Sequence, residues 1–372
     1  MNYKIINYKD ASKKDWDGYV RQLPDANYYH SWSWLNYISK FPGIKENLSF
    51  VCLSDNGSVL AVCSLAVSLN GEKKYFEMSF GGNFCGAPAI ADVKPSLRRK
   101  ISDEVFSIIS ANAEKFKVKK INMIWDPLTI AFCEKSGFHK NHFELLRYGL
   151  NYYVENVVVV DLMLPKNILF DNLSIDRRQR IRIAVKKDIK ISAFNKENEK
   201  DYLKKYFQQF QSAHFQSAGR MTRPQETWDA MYESAKEGVA TLFIAFKGNT
   251  PISYLYCGEF QSMAFSWSQV NVEQYEKEYS PRHILEWEAI LFYKKLNFKY
   301  YEIGERYYGP QIGYTPNKKE ISISVFKDRF GGILLPKLKW FGYCDQKLLA
   351  KEVNKNMTDY IQSKPLFKRT EY

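Results

Sequence analysis

The sequence lacks the patterns that hold metal ions or form a disulfide framework. Its six cysteines are scattered, and no two of them stand at the short spacing that metal ligands use. The five histidines form neither an HExxH motif nor another ligand cluster. We therefore predict no metal site, and we expect most of the cysteines to be small core residues in a reducing compartment.

Long apolar runs are absent as well. No stretch of about 18 apolar residues occurs, so no transmembrane segment is predicted. The opening MNYKIINYKD has no basic region followed by an apolar core, as a signal peptide would have. We therefore expect a cytoplasmic protein.

The chain has ample material for a globular fold. Of its 372 residues, 45% are hydrophobic and 16% aromatic, and the length predicts two domains with separate cores. The net charge of +13 favours anionic partners. Nucleotides that carry phosphate, tRNA and an anionic membrane face to which the protein associates peripherally are the candidates.

The sequence contains an internal duplication. Residues 49–67 predict two apolar strands joined by a turn at 55–58, and residues 241–260 repeat this hairpin pattern around a Lys-Gly-Asn turn. Strand-like sequence follows each hairpin, at 75–80 and at 262–270. Two mixed α/β units of one design are the simplest interpretation.

Each half continues with a long amphipathic helix and then a strand. The first helix is predicted from Pro95 to about Phe116, and the second begins at Ser280-Pro281. The strands follow in KVKKINMIWD and NFKYYEIGER. This order of hairpin, strand, helix and strand resembles the acyltransferase fold known as GNAT.

Four stretches, in the same order, resemble the FemAB family of aminoacyltransferases, which build peptidoglycan cross-bridges. They are SWSWLNYISKFPG at 31–43, the basic helix RQRIRIAVKK at 178–187, the helix and strand at 280–304, and VFKDRFGG at 325–332. The resemblance implies an α/β (α+β) protein of two tandem GNAT-like domains, each with a mixed, mainly antiparallel sheet flanked by helices. We expect a first domain at 1–160, a second with its basic connecting helix at 161–345, and a C-terminal helical tail at 346–372 that could pack back on the first.

The stretch VFKDRFGG has two interpretations. It could be an edge strand that ends in a Gly-Gly bend, with its cations in solvent. The family resemblance instead implies that Phe326 and Lys327 border the reacting centre, where a cation would stabilise the oxyanion formed when an amine attacks an activated ester or thioester.

A general base is harder to assign. Glu302, at the end of the strand YYEIG, aligns with an acidic residue of the family and could take the amine proton. It could equally be a structural carboxylate that pairs with Arg306 or Arg329. Glu305 and Arg306 follow at once and are placed among the substrate-binding residues.

The donor site departs from the GNAT pattern. GNAT enzymes that use acyl-CoA have a glycine-rich turn before the main helix, whereas this chain has a proline at 281 and no glycine. Arg282 and the helix N-terminus still favour an anion, so acyl-CoA is weakened as a donor but not excluded. The predicted substrate-binding residues also include His283, Trp267 and Gln269.

Two further sets complete the predicted site. Helical spacing aligns Arg178, Arg182 and Lys186 on one stripe, which either binds a phosphate-bearing ligand or is a solvated helix face. In the family the acceptor lies along the first domain, which implies a role for Trp32, Trp34, Gly81 and Gly82. The two glycines could instead form a tight bend.

We therefore predict an N-acyltransferase that forms an amide on an amino group of a cell-envelope precursor, either a nucleotide- or lipid-linked amino sugar or a peptide. Its co-substrate would be aminoacyl-tRNA or acyl-CoA, with no tightly bound cofactor. The alternatives are an acyl-CoA-dependent N-acetyltransferase of a nucleotide-linked amino sugar, and a non-catalytic binding module with a degenerate GNAT fold. Convergence of Lys327 and Glu302 on one accessible cleft would favour an enzyme.

Overall fold

The fold is given by a computed structural model, which describes residues 3–72, 74–134, 140–198 and 200–363. Within these ranges the strands are β1 Tyr3–Asn7, β2 Ile44–Asn47, β3 Phe50–Ser54, β4 Val59–Cys63, β5 Ala66–Asn70, β6 Tyr75–Met78, β7 Cys85–Gly86, β8 Ala89–Ile90, β9 Lys120–Trp125, β10 Asn151–Asp161, β11 Ile189–Phe194, β12 Ala240–Lys247, β13 Thr250–Phe260, β14 Met263–Asn271, β15 Tyr300–Arg306 and β16 Ile333–Tyr343.

The helices of the same ranges are α1 Lys13–Val20, α2 Trp32–Ile38, α3 Pro95–Lys115, α4 Ile130–Glu134, α5 Lys166–Asn172, α6 Ile175–Lys186, α7 Lys200–Ala218, α8 Gln225–Lys236, α9 Glu273–Tyr279, α10 Pro281–Lys295, α11 Lys318–Asp328 and α12 Gln346–Ser363. Short 3-10 helices occupy Tyr8–Asp10, Tyr28–His30 and Lys140–Tyr148. Over the described part of the chain, no helix combines the length and the apolar character that crossing a bilayer requires.

The chain divides into two compact units. The first comprises Met1–Glu155, Tyr308–Asn317 and Pro336–Tyr372, and the second comprises Asn156–Tyr307 and Lys318–Leu335. This division differs from the predicted second domain at 161–345, because the C-terminal part of β16 pairs with β9 in the first unit. The part of β16 that follows the second unit in sequence thus pairs within the first unit.

The first unit contains one long hairpin that is shared by two sheets. A single antiparallel ladder runs from Ile44↔Ser68 to Leu53↔Val59. It bends where the Ser49 hydroxyl accepts the N–H of Leu65 at 3.0 Å. The outer half belongs to the sheet β1-β3-β4-β8, and the inner half continues through β5 and β6 to β9, which is parallel to β6 across α3.

The second unit repeats this order within one sheet. Strands β12 and β13 form an antiparallel hairpin, β14 is antiparallel to β13, and β15 is parallel to β14 after the intervening α10. Strand β11 extends the sheet beside β12, and β10 pairs with β15. The predicted order of hairpin, strand, helix and strand is therefore confirmed in both halves of the chain, and the structure adds that the last strand is parallel to the one before the helix.

Helices cover both faces of the sheet in the second unit. On one face, Leu255 and Cys257 of β13 pack into a core with α10 and α6. The alternate residues Tyr254 and Tyr256 contact Phe210 of α7 on the other face. This alternation is the period of a strand buried on both sides, and it leaves the end of the sheet, where β14 and β15 separate, as the accessible part.

Candidate functional site

The site begins where strands β14 and β15 separate. The two strands pair only from Met263↔Tyr300 to Phe265↔Glu302. A bulge in each strand lies just beyond: the register of β14 shifts around Trp267, and that of β15 shifts around Ile303. Bulges bend a strand and redirect its side chains, so they open the sheet at the carboxyl ends of two parallel strands.

A cleft of about 740 Å³ occupies this opening, within the size range of small-molecule sites. Its walls come from β14, β15, α7, α9, α10 and α11, all in the second unit. Five of the residues predicted from sequence line it: Trp267, Gln269, Arg282, Phe326 and Lys327. The structure thus brings the predicted Phe-Lys pair together with residues of the preceding strand and helix.

Of the two interpretations of VFKDRFGG, the edge strand is wrong. Phe326 and Lys327 lie on the last turn of α11, and the chain leaves this helix through hydrogen bonds from Phe330 and Gly331 N–H to the carbonyls of Lys327 and Asp328. The glycine pair permits close packing, since a Cβ at Gly331 would overlap the Asn172 carbonyl. The two glycines therefore serve tight backbone contact and not a bend in solvent.

Lys327 is seated against a glycine of the bulged strand. Its Nζ lies where a Cβ of Gly304 would be, and Gly304 has a φ of +121°, which side chains rarely tolerate. The same Nζ lies 3.1 Å from Oε2 of Glu305. The ammonium is thus fixed at the cleft by backbone geometry and by one carboxylate.

The N-terminus of α10 carries a positive cluster beside the cleft. Arg177 and Arg282 place their guanidinium groups 4.3 and 4.5 Å from the ring centroid of Phe326. Arg180 donates to the Ser280 hydroxyl at 3.3 Å, and Arg282 pairs with Glu276 at 3.0 Å. Burial lowers the pKa of Arg177 to about 10, so the group remains charged at neutral pH. Such a cluster suits a phosphate or carboxylate ligand.

His283 is the neutral member of this group. Burial, reinforced by the charge of Arg177, lowers its pKa to about 3. Its Nδ1 lies 3.1 Å from Nη1 of Arg177, which can only donate, so Nδ1 accepts this hydrogen bond. The ring also contacts Phe326, with centroids 5.3 Å apart. His283 thus contacts Arg177 and Phe326 as a neutral ring at neutral pH.

Glu286 is a buried carboxylate in the cleft wall. Only 1% of the residue is exposed. Its Oε1 accepts from the Tyr301 hydroxyl at 2.7 Å, and its Oε2 accepts from the Ser266 hydroxyl at 3.4 Å. Burial raises its pKa to about 7, against the opposing effects of these hydrogen bonds and the charge of Lys327. It is therefore a group that changes protonation near neutral pH.

Glu302 has a different position from the one predicted. Its neighbours Tyr301 and Ile303 pack into the core under α10, so the side chain of Glu302 projects from the opposite face of the sheet. It is buried and is not among the residues that line the described cleft. Lys327 lines this cleft and Glu302 does not, so the convergence of these two residues that would favour an enzyme is not seen here. The role of Glu302 as a base stays a prediction.

The basic residues near these strands have assigned partners. Arg306 pairs with Asp328 at 3.1 Å, and Arg329 pairs with Asp176 at 3.9 Å. A pairing of Glu302 with either arginine stays a prediction. Glu305 holds Lys327, whereas Arg306 stabilises the end of α11.

The stripe predicted on the connecting helix lies on α6, as expected. Arg178 donates to the Asp171 carbonyl at 3.0 Å, and the guanidinium of Arg182 lies 5.5 Å from the ring centroid of Phe170. Lys186 is exposed on the last turn. None of the three lines the described cleft. Their role in binding phosphate remains a prediction, and Arg177 and Arg180 of the same helix join the cluster instead.

The residues predicted in the first unit lie in aromatic and turn structure. Trp34 is buried among tyrosine rings, and Trp32 packs on Tyr8 with centroids 4.3 Å apart. Gly81 and Gly82 both have positive φ, of 58° and 90°, in a tight turn. This geometry is that of the bend, and the acceptor role of the four residues remains a prediction.

Sequence reasoning missed Glu286 and Gly304. The available signal for Glu286 was its position within the apolar stripe of a predicted helix. Acidic residues are rarely buried, so one at such a position is a candidate functional residue. Gly304 gave no comparable signal, since a glycine at a strand end has many causes.

Comparisons with known proteins support the fold. No family model and no curated protein matches the sequence. Among solved structures, FemX matches with a TM-score of 0.65 and 12% identity over 94% of this chain and 99% of FemX. L-PGS from Bacillus licheniformis matches with a TM-score of 0.56 and 9% identity over 93% of this chain and 96% of that one. These likenesses confirm the tandem GNAT-like fold and, at the level of fold, the resemblance to FemAB-type proteins.

Proposed function

We propose that the cleft of the second unit catalyses N-acyl transfer, in which an amine attacks the activated carbonyl of an ester or thioester. The observation that carries this proposal is the Lys327 ammonium, fixed against Gly304 in the wall of a cleft that also contains Arg282. The fold likeness to FemX supports it. A cation at this place suits the negative charge that develops on the carbonyl oxygen.

The reaction has two bond changes. The amine nitrogen bonds to the carbonyl carbon, which gives a tetrahedral oxyanion opposite the ammonium of Lys327. The carbon then releases the oxygen or sulfur of the donor, and an amide remains. Because Lys327 is about one-fifth exposed and paired with Glu305, its charge is available at the cleft surface and its position is restrained.

The donor is proposed to be aminoacyl-tRNA. The positive cluster of Arg177, Arg180 and Arg282 lies beside the cleft and favours a donor that carries phosphate. Acyl-CoA is the second candidate. It is less favoured because α10 begins with Ser280-Pro281, and proline offers no N–H to a pyrophosphate. Neither donor would be a tightly bound cofactor.

The acceptor is proposed to be an amino group of a cell-envelope precursor, on a peptidoglycan peptide or an amino sugar. This assignment is supported by the FemAB-type sequence stretches and by the fold likeness to FemX.

The test is to incubate the purified protein with nucleotide- or lipid-linked amino-sugar and peptide precursors, supplying either aminoacyl-tRNA or acyl-CoA. Mass spectrometry should detect a precursor increased by one acyl group, with wild-type protein only and not with Lys327→Ala. Tight precursor binding without any mass increase would favour the non-catalytic module. Product formed with acyl-CoA and not with aminoacyl-tRNA would make acyl-CoA the preferred donor.

A further inference from the structure

We infer that Glu286 is the acid–base residue of the proposed acyl transfer, accepting the proton of the attacking amine and delivering it to the leaving group. This inference rests on the proposed function. It replaces Glu302, which projects from the other face of the sheet, with a carboxylate in the wall of the cleft.

The position of Glu286 fits this role. The residue lies on the second turn of α10 and lines the same cleft as Lys327. Its two oxygens are oriented by Tyr301 at 2.7 Å and by Ser266 at 3.4 Å. Each carboxylate oxygen can accept more than one hydrogen bond, so Tyr301 and Ser266 do not use up the acceptor capacity of the group.

Several elements set the protonation of this carboxyl group. The groups that face it or share the cleft with it are Cys257 of β13, Ser266 of β14, Tyr301 of β15, Lys327 of α11, Arg282 of α10, Glu273 and Glu276 of α9, and His214 of α7. Burial raises the pKa of Glu286, while Tyr301, Ser266 and Lys327 lower it, and the balance is about 7. A group whose pKa lies near the working pH can both accept a proton and return it.

The proton balance of the reaction closes with this residue. The neutral amine bonds to the carbonyl carbon, and one N–H proton moves to a Glu286 oxygen. When the oxyanion collapses, the bond from carbon to the donor oxygen or sulfur breaks, and the proton moves from Glu286 to that atom. Glu286 ends ionised, as it began, and no other reactant is needed.

The experiment compares Glu286→Gln with Glu288→Gln by the pH dependence of kcat/KM for the transfer reaction. Glu288 is a matched control, because it lies on the same helix, burial also raises its pKa, and it does not line this cleft. Wild-type kcat/KM should rise with an apparent pKa near 7. Glu286→Gln should lower kcat roughly 100- to 10,000-fold and remove this pH dependence, whereas Glu288→Gln should change neither.

Tyr301→Phe provides a second variant that keeps the carboxylate. The Tyr301 hydroxyl donates to Glu286 and favours its ionised form, so its removal should shift the rising limb of kcat/KM to higher pH. A residue with only a structural role would lower activity without moving this limb. If Glu286→Gln fails to fold, the pH dependence of kcat/KM in Tyr301→Phe decides whether Glu286 is the acid–base residue.

The outcomes separate this inference from the proposed function. A wild-type protein that forms product, with kcat and pH profile unchanged in Glu286→Gln, would overturn the role of Glu286 alone. An unshifted limb in Tyr301→Phe would do the same. A wild-type protein that forms no product with either donor would overturn both the function and the role.

Discussion

The contact between Lys327 and Gly304 fixes a charge at one point of the cleft. We expect Lys327→Ala to lower kcat by roughly 100- to 1,000-fold, the loss that follows removal of one oxyanion donor. The partly exposed ion pair with Glu305 contributes little, so the free energy of unfolding should change by less than about 1 kcal/mol. Steady-state kinetics and urea unfolding measure the two effects.

Lys327→Arg is the sharper comparison. The guanidinium keeps the charge but is planar and larger than the ammonium that lies against Gly304, so kcat should fall substantially here too. Wild-type kcat in either variant, with both substrates saturating, would leave Lys327 as a surface cation only.

Gly304→Ala tests the contact between Gly304 and the Lys327 ammonium. A methyl group at this position would occupy the place of the Lys327 Nζ and would require a strained φ of +121°. We expect a lower kcat together with a lower free energy of unfolding. The control is Gly248→Ala, in the turn between β12 and β13, where φ is also positive but the added methyl meets nothing within 4 Å. If both variants lose stability and neither has a lower kcat, the contact between Gly304 and Lys327 is not needed for catalysis.

The buried carboxyl of Glu286 also makes stability depend on pH. Its pKa of about 7 in the folded state lies above its ordinary value of 4.5, so the folded state binds the proton more tightly than the unfolded chain. The contribution of Glu286 is therefore most favourable below pH 4.5 and is lost as pH rises through 7. Glu286→Gln should raise the free energy of unfolding relative to wild type by up to about 3 kcal/mol more at pH 8 than at pH 4.5. Urea unfolding at the two pH values measures it, and an equal difference at both would contradict it.

At the scale of elements, α11 shows where sequence reasoning failed. Ile321, Ile323 and Val325 alternate with serines, which is the period of a strand. In the helix, Ile321 is 5% exposed and Ile323 is 46% exposed, so the alternation does not mark one buried face. The buried Ser324 hydroxyl instead accepts the N–H of Tyr307 and donates to the Ile321 carbonyl. Tertiary contacts of this kind override a local period and cannot be read from it.

The basic stripe of α6 supports a separate prediction about donor binding. We expect reversal of two charges, Arg182→Glu with Lys186→Glu, to weaken binding of tRNA and to reduce its salt dependence. Lys204→Glu with Lys205→Glu on α7 is the control, since it changes the net charge of the unit equally on another helix. Filter binding at several salt concentrations measures both. Equal losses in the two double variants would indicate a general charge effect and a solvated face on α6.

The residues of the site that could be predicted are those with a recognisable local sequence pattern. Arg282, at a helix N-terminus, and the Phe326-Lys327 pair, in a motif that resembles a family, could be selected from sequence. That Glu286 lines the cleft and Glu302 does not depends on which face of β15 meets α10, and the position of Gly304 against Lys327 depends on a bulge. Both are properties of strand register, which one sequence does not specify.

At the scale of the whole molecule, the duplication was predictable because both halves repeat the same order of turns, strands and helices. What the sequence did not show is that the first hairpin bends at Ser49 and contributes to two sheets. Nor did it show that β16 returns to the first unit, since the sequence of an apolar strand does not specify which strand it pairs with. The division into compact units near the C-terminus differs from the predicted domain boundaries for that reason.

The return of β16 to β9 has a consequence for the order in which the chain can fold during synthesis. Residues 338–343 of β16 pair with 120–125 of β9, and Glu352 of α12 then accepts hydrogen bonds from Lys120 at 2.8 Å and from Tyr343 at 2.7 Å. Until these residues leave the ribosome, β9 is an edge strand with unpaired backbone groups, while all strands of the sheet in the second unit are already made. The sheet of the first unit is thus completed last, although most of its strands are synthesised first. A nascent chain stalled before residue 336 would therefore present β9 as an aggregation-prone edge strand, which a chaperone could cover.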